Sequence, residues 1–396
     1  MNTTTQTIKK PQTSIFTQVL LIFLGLVFIF SGLIKLNDPV GTKIKLEEYF
    51  EVFSQDLPWA AGLFHGLLPL ALPLAVFLCV AEVVLGVAVL IRYRFKATLY
   101  ALLGLIVFFT FLTFYSAYFN RVTDCGCFGE AIKLKPWQSF AKDIVLLITI
   151  LILFSQHKKI LPLLTIKTSN LTMLVTTVLC FGLGIYAIFY LPPVDFLPYK
   201  IGDNIRENMQ LPVDAKPWVY ENSFVMKNIK NGQTQEFSEK AYNDGIWQDT
   251  LNWQYVDLKK KLIQQGDEPK IKDFAPTTPD GENITDKVLT GKQLLFIIQD
   301  FKTMNPKDLE AIGKLIKNLK GTEIQLLTAS SVETAEIFRH EYQLAAPLLT
   351  IDEKVSKTMI RTNPGIMLLK DGTVLKKWSY MQIPDTNEIE ILLQKP

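Results

Sequence analysis

Leu102-Leu103-Gly104-Leu105-Ile106-Val107-Phe108-Phe109-Thr110-Phe111-Leu112-Thr113-Phe114 lies inside a run from 97 to 119 that holds no charged residue. A hydrocarbon core about 30 Å thick takes about 20 residues of helix to cross, so this run reads as a membrane span. Working outward, further apolar segments of the same kind stand at 16–34, 67–91, 140–155 and 171–191. After Leu191-Pro192-Pro193 the character changes, and Lys, Glu and Asp recur as in a soluble protein. The overall figures, 49% hydrophobic and 20% charged, therefore average two unlike halves. A net charge of +3 spread along the chain gives no basic patch, so nucleic acid is not an expected partner.

The first span follows Lys9 and Lys10 as a signal peptide would, but Lys35-Leu36-Asn37-Asp38-Pro39 is a poor cleavage site, and the segment is read as a retained helix. The N-terminal arm, Arg92-Tyr93-Arg94-Phe95-Lys96 and the link with Lys158, Lys159 and Lys167 carry bases and no acids. They are expected in the cytoplasm, which puts the other connections and the C-terminal half outside. The fourth span begins with Lys142 and Asp143, read as interfacial charges.

Ionisable groups within a span are costly and usually face the bundle interior. Glu82 is such a group, three residues after Cys79 and on the same helix face. It reads either as a proton or ligand site near a quinone-like or lipid-derived substrate, or as a polar contact between helices. His65 has no second histidine nearby and reads as interfacial.

Four cysteines are present, and Cys79 and Cys180 sit in apolar segments where a lone thiol behaves as a small hydrophobe. The remaining pair is in Asp124-Cys125-Gly126-Cys127-Phe128-Gly129. Two cysteines at i and i+2 close a small, strained ring, with Gly126 supplying backbone freedom, and a strained disulfide is labile and exchangeable. Arg121 would lower a neighbouring thiol pKa and Asp124 would raise it. A redox dithiol, an inert pair and a metal site remain as readings; the metal site lacks further ligands close in sequence, and no metal is expected.

Phe30-Ser31-Gly32-Leu33-Ile34-Lys35-Leu36-Asn37-Asp38-Pro39 resembles the signature of DoxX-like membrane proteins, and residues 124–129 resemble the branch that includes the methylamine-utilisation protein MauE. The resemblance covers roughly residues 15–155. It implies a four-helix unit that handles thiols and disulfides of an exported partner, or, as in other DoxX relatives, a quinone-linked oxidoreductase subunit.

Beyond the membrane half, alternating residues around Asn231-Gly232 predict a β-hairpin, with Trp247, Trp253 and Tyr255 forming the core of a small module or packing it onto the next domain. Further on, Gln293 to Ile298 predicts a buried strand, Asn305-Pro306 a helix start, Glu323 to Ala329 a strand and Val332 to Tyr342 a helix. Arg361 to Leu369 leads into a strand that turns back at Asp371-Gly372, and Asp385 to Gln394 closes with a helix. The order βαβαββα resembles a thioredoxin-like domain, whose cis-proline position falls on Asn363-Pro364. Where thioredoxins carry CxxC this chain has Asp300-Phe301-Lys302-Thr303-Met304-Asn305-Pro306, and no cysteine follows Cys180. Such a domain keeps at most a peptide cleft at Asn363 and Pro364, or serves for docking.

The expected architecture is a membrane all-α four-helix bundle (1–155), a cytoplasmic link and fifth transmembrane helix (156–191), an exported linker with a small β-rich module (192–262), and an α/β thioredoxin-like domain without CxxC (263–396). The expected function is thiol–disulfide handling of an exported or membrane protein client at a bacterial inner membrane. Cys125 and Cys127 would be the redox pair, Glu82 a proton or quinone site, Arg121 a thiolate stabiliser, and a quinone the cofactor to consider. The competing reading is a non-catalytic scaffold whose C-terminal domain binds partner proteins.

Overall fold

The computed structural model describes residues 13–122, 126 and 128–394. α1 (Ile15–Asn37) starts at Ser14, whose side chain accepts from Thr17 N. It ends at Asp38, whose carboxylate in turn accepts from Gly41 N at 2.8 Å and caps α2 (Pro39–Asp56), with Pro39 in the first turn. One residue thus ends one helix and begins the next. The expected spans leave 35–66 as a connection, since its lysines and glutamates break up the apolar pattern. The structure corrects this: Leu46, Tyr49, Phe50 and Phe53 bury one stripe at helical spacing. The charges pair along the exposed side, Lys43 with Glu47 and Lys45 with Glu48.

α3 (Ala61–Leu67) and α4 (Ala71–Ile91) form the second apolar stretch, followed by α5 (Phe95–Phe119), α6 (Pro136–Gln156) and α7 (Ile166–Phe189). Among the described residues, five helical stretches are long and apolar enough to cross a membrane. Their outward side chains are apolar too, as at Phe16, Val19 and Ile22 of α1 and Leu171, Leu174 and Val178 of α7. Such a surface suits lipid and not water. α1 packs on α4, α5 on α6, and α4 also meets α2 and α7. The α1–α4 seam is close because of its glycines: a Cβ on Gly86 would stand 2.8 Å from the Gly25 carbonyl oxygen. One half of this interior is dry, filled by Leu21, Leu24, Leu99, Leu102, Ile106, Ile150 and Leu153. The other half holds the charges described below.

After α7 a short helix, α8 (Ile205–Asn208), precedes β1 (Val219–Asn228), β2 (Thr234–Ser238), α9 (Glu239–Asn243) and β3 (Trp253–Gln264). The three strands form an antiparallel sheet in the order β2-β1-β3. Its aromatic contacts are Phe224 stacked on Tyr242 at 3.8 Å and Phe237 edge-on to Trp253 at 4.9 Å. Trp247 and Tyr255, expected in its core, are about half exposed, since a three-stranded sheet with one short helix has too little material to cover them.

The last unit runs α10 (Thr285–Val288), β4 (Lys292–Ile298), α11 (Pro306–Asn318), β5 (Glu323–Thr328), α12 (Val332–Glu341), β6 (Leu348–Thr350), α13 (Glu353–Met359), β7 (Gly365–Lys370), β8 (Thr373–Ser379) and α14 (Thr386–Gln394). The sheet order is β6-β5-β4-β7-β8, with β4, β5 and β6 parallel and β7 and β8 antiparallel. β4 is buried on both faces: Leu294 and Phe296 enter one core with Leu309 and Ile312, while Leu295 and Ile297 enter another with Met359 and Met367. β6 and α13 had no counterpart in the sequence reading, because a three-residue strand carries no periodic signal. Tyr199 and Ile205 also join the second core, and Ile205 N donates to the Gly372 carbonyl at 2.8 Å. The stretch after α7 is therefore built into the sheet unit. The Asn363-Pro364 peptide is cis.

Candidate functional site at one end of the bundle

Ser31 and Lys35 lie four residues apart and so share a face of α1, turned toward Glu82 of α4. Ser31 Oγ donates to Glu82 Oε2 at 2.8 Å, and Lys35 Nζ donates to Oε1. Glu82 is 1% exposed and Lys35 7%, so each charge has lost water and keeps the other. Lys35 Nζ also stands 4.6 Å from the Phe109 ring centre. A second pair lies across the interior on α6. Asp143, read from sequence as interfacial, is 0% exposed; it accepts from Thr113 Oγ1 at 2.9 Å and from Lys142 Nζ at 2.5 Å. The correction follows from the helix start: α6 begins at Pro136, about one turn before the expected span at 140, so Asp143 stands about two turns into the helix and is carried inward.

Both pairs line one cavity with Val27, Phe28, Ile106 and Leu146. Lys35 and Glu82 also line a second cavity of about 520 Å³ counting space open to solvent, with Thr42, Tyr49, Cys79, Phe109 and Gly126 around it. A third, of about 500 Å³ counting space open to solvent, is bounded by Asp38, Gly41, Lys45, Gly126, Gly129 and Ser139. Gly126 thus borders both larger cavities. The expected redox residues Cys125 and Cys127 lie outside the described residues and flank it in sequence. Cys79 Sγ is 3.8 Å from Thr42 Oγ1 and shares an apolar cluster with Cys180, Leu36 and Val76. Arg121 is exposed and donates to Asp56 Oδ1 at 3.1 Å, while Tyr115 OH donates to the other carboxylate oxygen. Its charge is held at the end of α2. His65 is exposed on α3.

The sheet unit meets the bundle at the same end. Arg361 Nε donates to Asp38 Oδ2 at 2.8 Å, with the two side chains only 4% and 14% exposed, and Arg361 Nη1 donates to the Lys357 carbonyl. Asn37 Nδ2 donates to the Val194 carbonyl at 2.7 Å, and Val194 N returns a bond to Asn37 Oδ1. Lys377 pairs with Asp195 at 2.8 Å; burial pushes its ammonium below the ordinary lysine range, and Asp195 works against that shift. Asn363 Nδ2 donates to the Asp300 carbonyl at 2.7 Å and to Thr303 Oγ1 at 2.9 Å, and Pro364 is buried. The loop from 361 to 364 is therefore committed on both sides, to the bundle through Arg361 and to the 300–303 turn through Asn363.

Sequence reasoning missed Asp38, Arg361 and the inward position of Asp143. Lys35 and Asp38 fell inside a motif that was read for its resemblance and not for its charges. Arg361 carries no local signal, because its partner is far away in the chain.

Residues 13–156 match the family model described as Methylamine utilisation protein MauE, and residues 220–265 match one described as a domain of unknown function, DUF8463. No curated protein matches the chain. Among solved structures, peroxiredoxin Q of Xanthomonas campestris is similar at 13% identity over 30% of this chain and 87% of that one, with a TM-score of 0.23. The bacterioferritin comigratory protein of the same organism, from work on its alkyl peroxide reduction activity, gives the same values. At such a TM-score no argument about fold or activity follows. The chain is a multi-pass membrane protein whose residues 13–156 match the MauE family.

Proposed function

We propose that this protein carries out thiol–disulfide exchange for an exported client, with Cys125 and Cys127 as the working dithiol. The observation that carries this reading is the position of Gly126. It borders a cavity that runs down to the Lys35–Glu82 pair and another that reaches Asp38, the residue gripping the sheet unit through Arg361. Gly126, the residue between the two cysteines in sequence, has buried charge on one side and a docked domain on the other. The sheet unit is read as thioredoxin-like without a cysteine of its own, and the membrane unit as a DoxX/MauE-like four-helix bundle. The N-terminus is placed in the cytoplasm and the C-terminal half in the periplasm of a bacterial inner membrane.

The lining of the cavity that Gly126 borders suits a quinone in chemistry: Leu46, Leu78, Phe109 and Leu112 offer apolar walls, and Lys35 and Thr42 offer donors. When bound it would supply a two-electron, two-proton acceptor soluble in the bilayer. The chain's own part is to hold charge at Lys35 and Glu82 and to keep water from the dry half of the bundle. One observation favours a structural role instead: the loop at Asn363 and Pro364 is already committed to the bundle and the 300–303 turn, as in a domain kept for assembly.

Equilibrating the purified protein in redox buffers and counting free thiols by alkylation tests the proposal. Cys125 and Cys127 are expected to titrate together as a two-electron couple above about −300 mV, the region of labile disulfides. A couple well below that, or thiols that never pair, would favour the structural role.

A further inference from the structure

Pro58 to Ile91 is the longest of the five apolar stretches, at 34 residues. As one straight helix it would measure about 51 Å, against a hydrocarbon core of about 30 Å. The stretch is not one helix. A 3₁₀ turn at Leu68–Leu70, with Pro69 inside it, divides α3 from α4, and the 21 residues of α4 are enough to cross the core by themselves. Leu57 to Leu70 is left over at the end of the bundle where the sheet unit docks. The two ends coincide because Leu36, beside Asp38, shares an apolar cluster with Val76 in the second turn of α4.

The outer side of this segment is unsuited to water. Trp59 is 85% exposed, Leu63 64% and Leu70 50%. Gly62 and Gly66 lie among them with open space where a side chain would be. Between Asp56 and Glu82 the sequence has no Asp, Glu, Lys or Arg. Phe77, as far beyond Leu70 as Leu70 is beyond Leu63, is exposed too, so the apolar strip continues onto the lipid-facing side of α4. The inner side is fixed to α2: the Phe64 ring lies 6.4 Å from Phe50 and 5.4 Å from Phe53.

Neighbouring helices mark the depth. Phe53 also meets Phe111 and Tyr115 near the end of α5, at 5.8 and 4.8 Å. Past them stand the exposed rings of Tyr118 and Phe119, Trp137 at the start of α6, and the Arg121–Asp56 ion pair. Exposed aromatic rings giving way to charge mark the passage from hydrocarbon to water, and Trp59 follows Asp56 directly into that belt.

We propose that Leu57 to Leu70 does not cross the membrane but lies in the leaflet nearer the sheet unit, at the boundary of headgroups and acyl chains, with phospholipid covering its exposed side. Segments of this kind seat their apolar face about 5–10 Å into that boundary. So seated, α3 holds α2 against the bundle, and α2 supplies Thr42, Leu46 and Tyr49 to the cavity that Lys35 and Glu82 line. The placement is independent of the thiol chemistry.

The test uses the full-length protein in phosphatidylcholine vesicles whose acyl chains carry bromine either near the ester or near the terminal methyl. The chain has 6 tryptophans, so the Trp59 signal is taken as the difference between the protein and its Trp59→Phe variant. That signal is expected to lose most intensity to bromine near the ester, less to bromine near the methyl, and least to acrylamide in the water. Greatest loss to bromine near the methyl would overturn the placement and put the segment in the membrane core. Loss to acrylamide alone would overturn it in favour of water. Protection from both quenchers would overturn it in favour of a protein surface, a second copy if cross-linking in the same vesicles yields a dimer. Trp59→Ser/Leu63→Ser is expected to speed hydrogen exchange from Leu46 to Asp56 relative to Trp59→Phe, with β4 still protected. Unchanged exchange there would overturn the part assigned to α3 in holding α2.

Discussion

Glu82→Leu is expected to destabilise the protein by about 3–5 kcal/mol, because it leaves the Lys35 ammonium buried without the carboxylate that compensates it. Both side chains are nearly fully buried, and the bond from Ser31 to Glu82 would be lost as well. Lys35→Met should cost a similar amount for the mirror reason. The double variant Lys35→Met/Glu82→Leu should recover most of the loss, since two apolar side chains of similar volume carry no desolvation penalty. Denaturation of the four proteins in one detergent separates the outcomes. Additive losses in the double variant would show that the two residues act independently. The double variant also divides stability from function: a well-folded protein whose dithiol no longer turns over in membranes would place the pair in the exchange reaction, whereas normal turnover would leave it a helix–helix contact.

The second large effect is expected at Asp38, which has two tasks. One carboxylate oxygen caps α2 at Gly41 N and the other receives Arg361 from the sheet unit. Asp38→Ala should cost about 1 kcal/mol for the cap and about 3–5 kcal/mol for stranding a buried guanidinium. Arg361→Met keeps the cap and removes the cation, so its loss should be smaller and confined to docking. Hydrogen exchange reads this directly. Both variants should speed exchange at 192–200 and 353–362, where the units meet, and leave β4 and β5 protected. Unchanged exchange at those segments would mean that the Asn37–Val194 and Lys377–Asp195 contacts hold the unit alone. A general loss of protection would mean that Asp38 supports the fold and not the junction.

The membrane half was legible because lipid imposes a simple demand: long apolar runs become spans, and each of the five expected segments falls on a helical stretch, the fifth overrunning its end at Phe189 by two residues. What the runs concealed were the exceptions to apolarity. α2 was hidden because an amphipathic helix at a bundle end carries nearly as many charges as a loop, and only the spacing of Leu46, Tyr49, Phe50 and Phe53 distinguishes it. Asp143 was misplaced because the apolar run begins after the helix does. In the sheet unit the strands at 292–298 and 365–370 were readable from continuous burial, and the turn at Asp371-Gly372 from its residues. β6 was too short to register. The site itself was only half visible. Glu82 was conspicuous as an acid in an apolar run, but its partner Lys35 sits at a helix end where lysine is ordinary. The Asp38–Arg361 pair joins residues from opposite ends of the chain, which no local pattern can announce. The aromatic residues Trp247 and Tyr255 misled because a large apolar side chain is usually evidence of a core, and here the sheet is too small to enclose them.

The reading of this chain stands or falls on whether Cys125 and Cys127 cycle. Alkylation with a mass tag in growing cells, followed by separation of the tagged forms, reports the fraction of the pair that is reduced. The predicted result is a mixture of dithiol and disulfide that shifts toward the dithiol when quinones are depleted. A pair that stays wholly reduced or wholly oxidised under every condition would contradict it, and would leave the chain as a membrane assembly subunit.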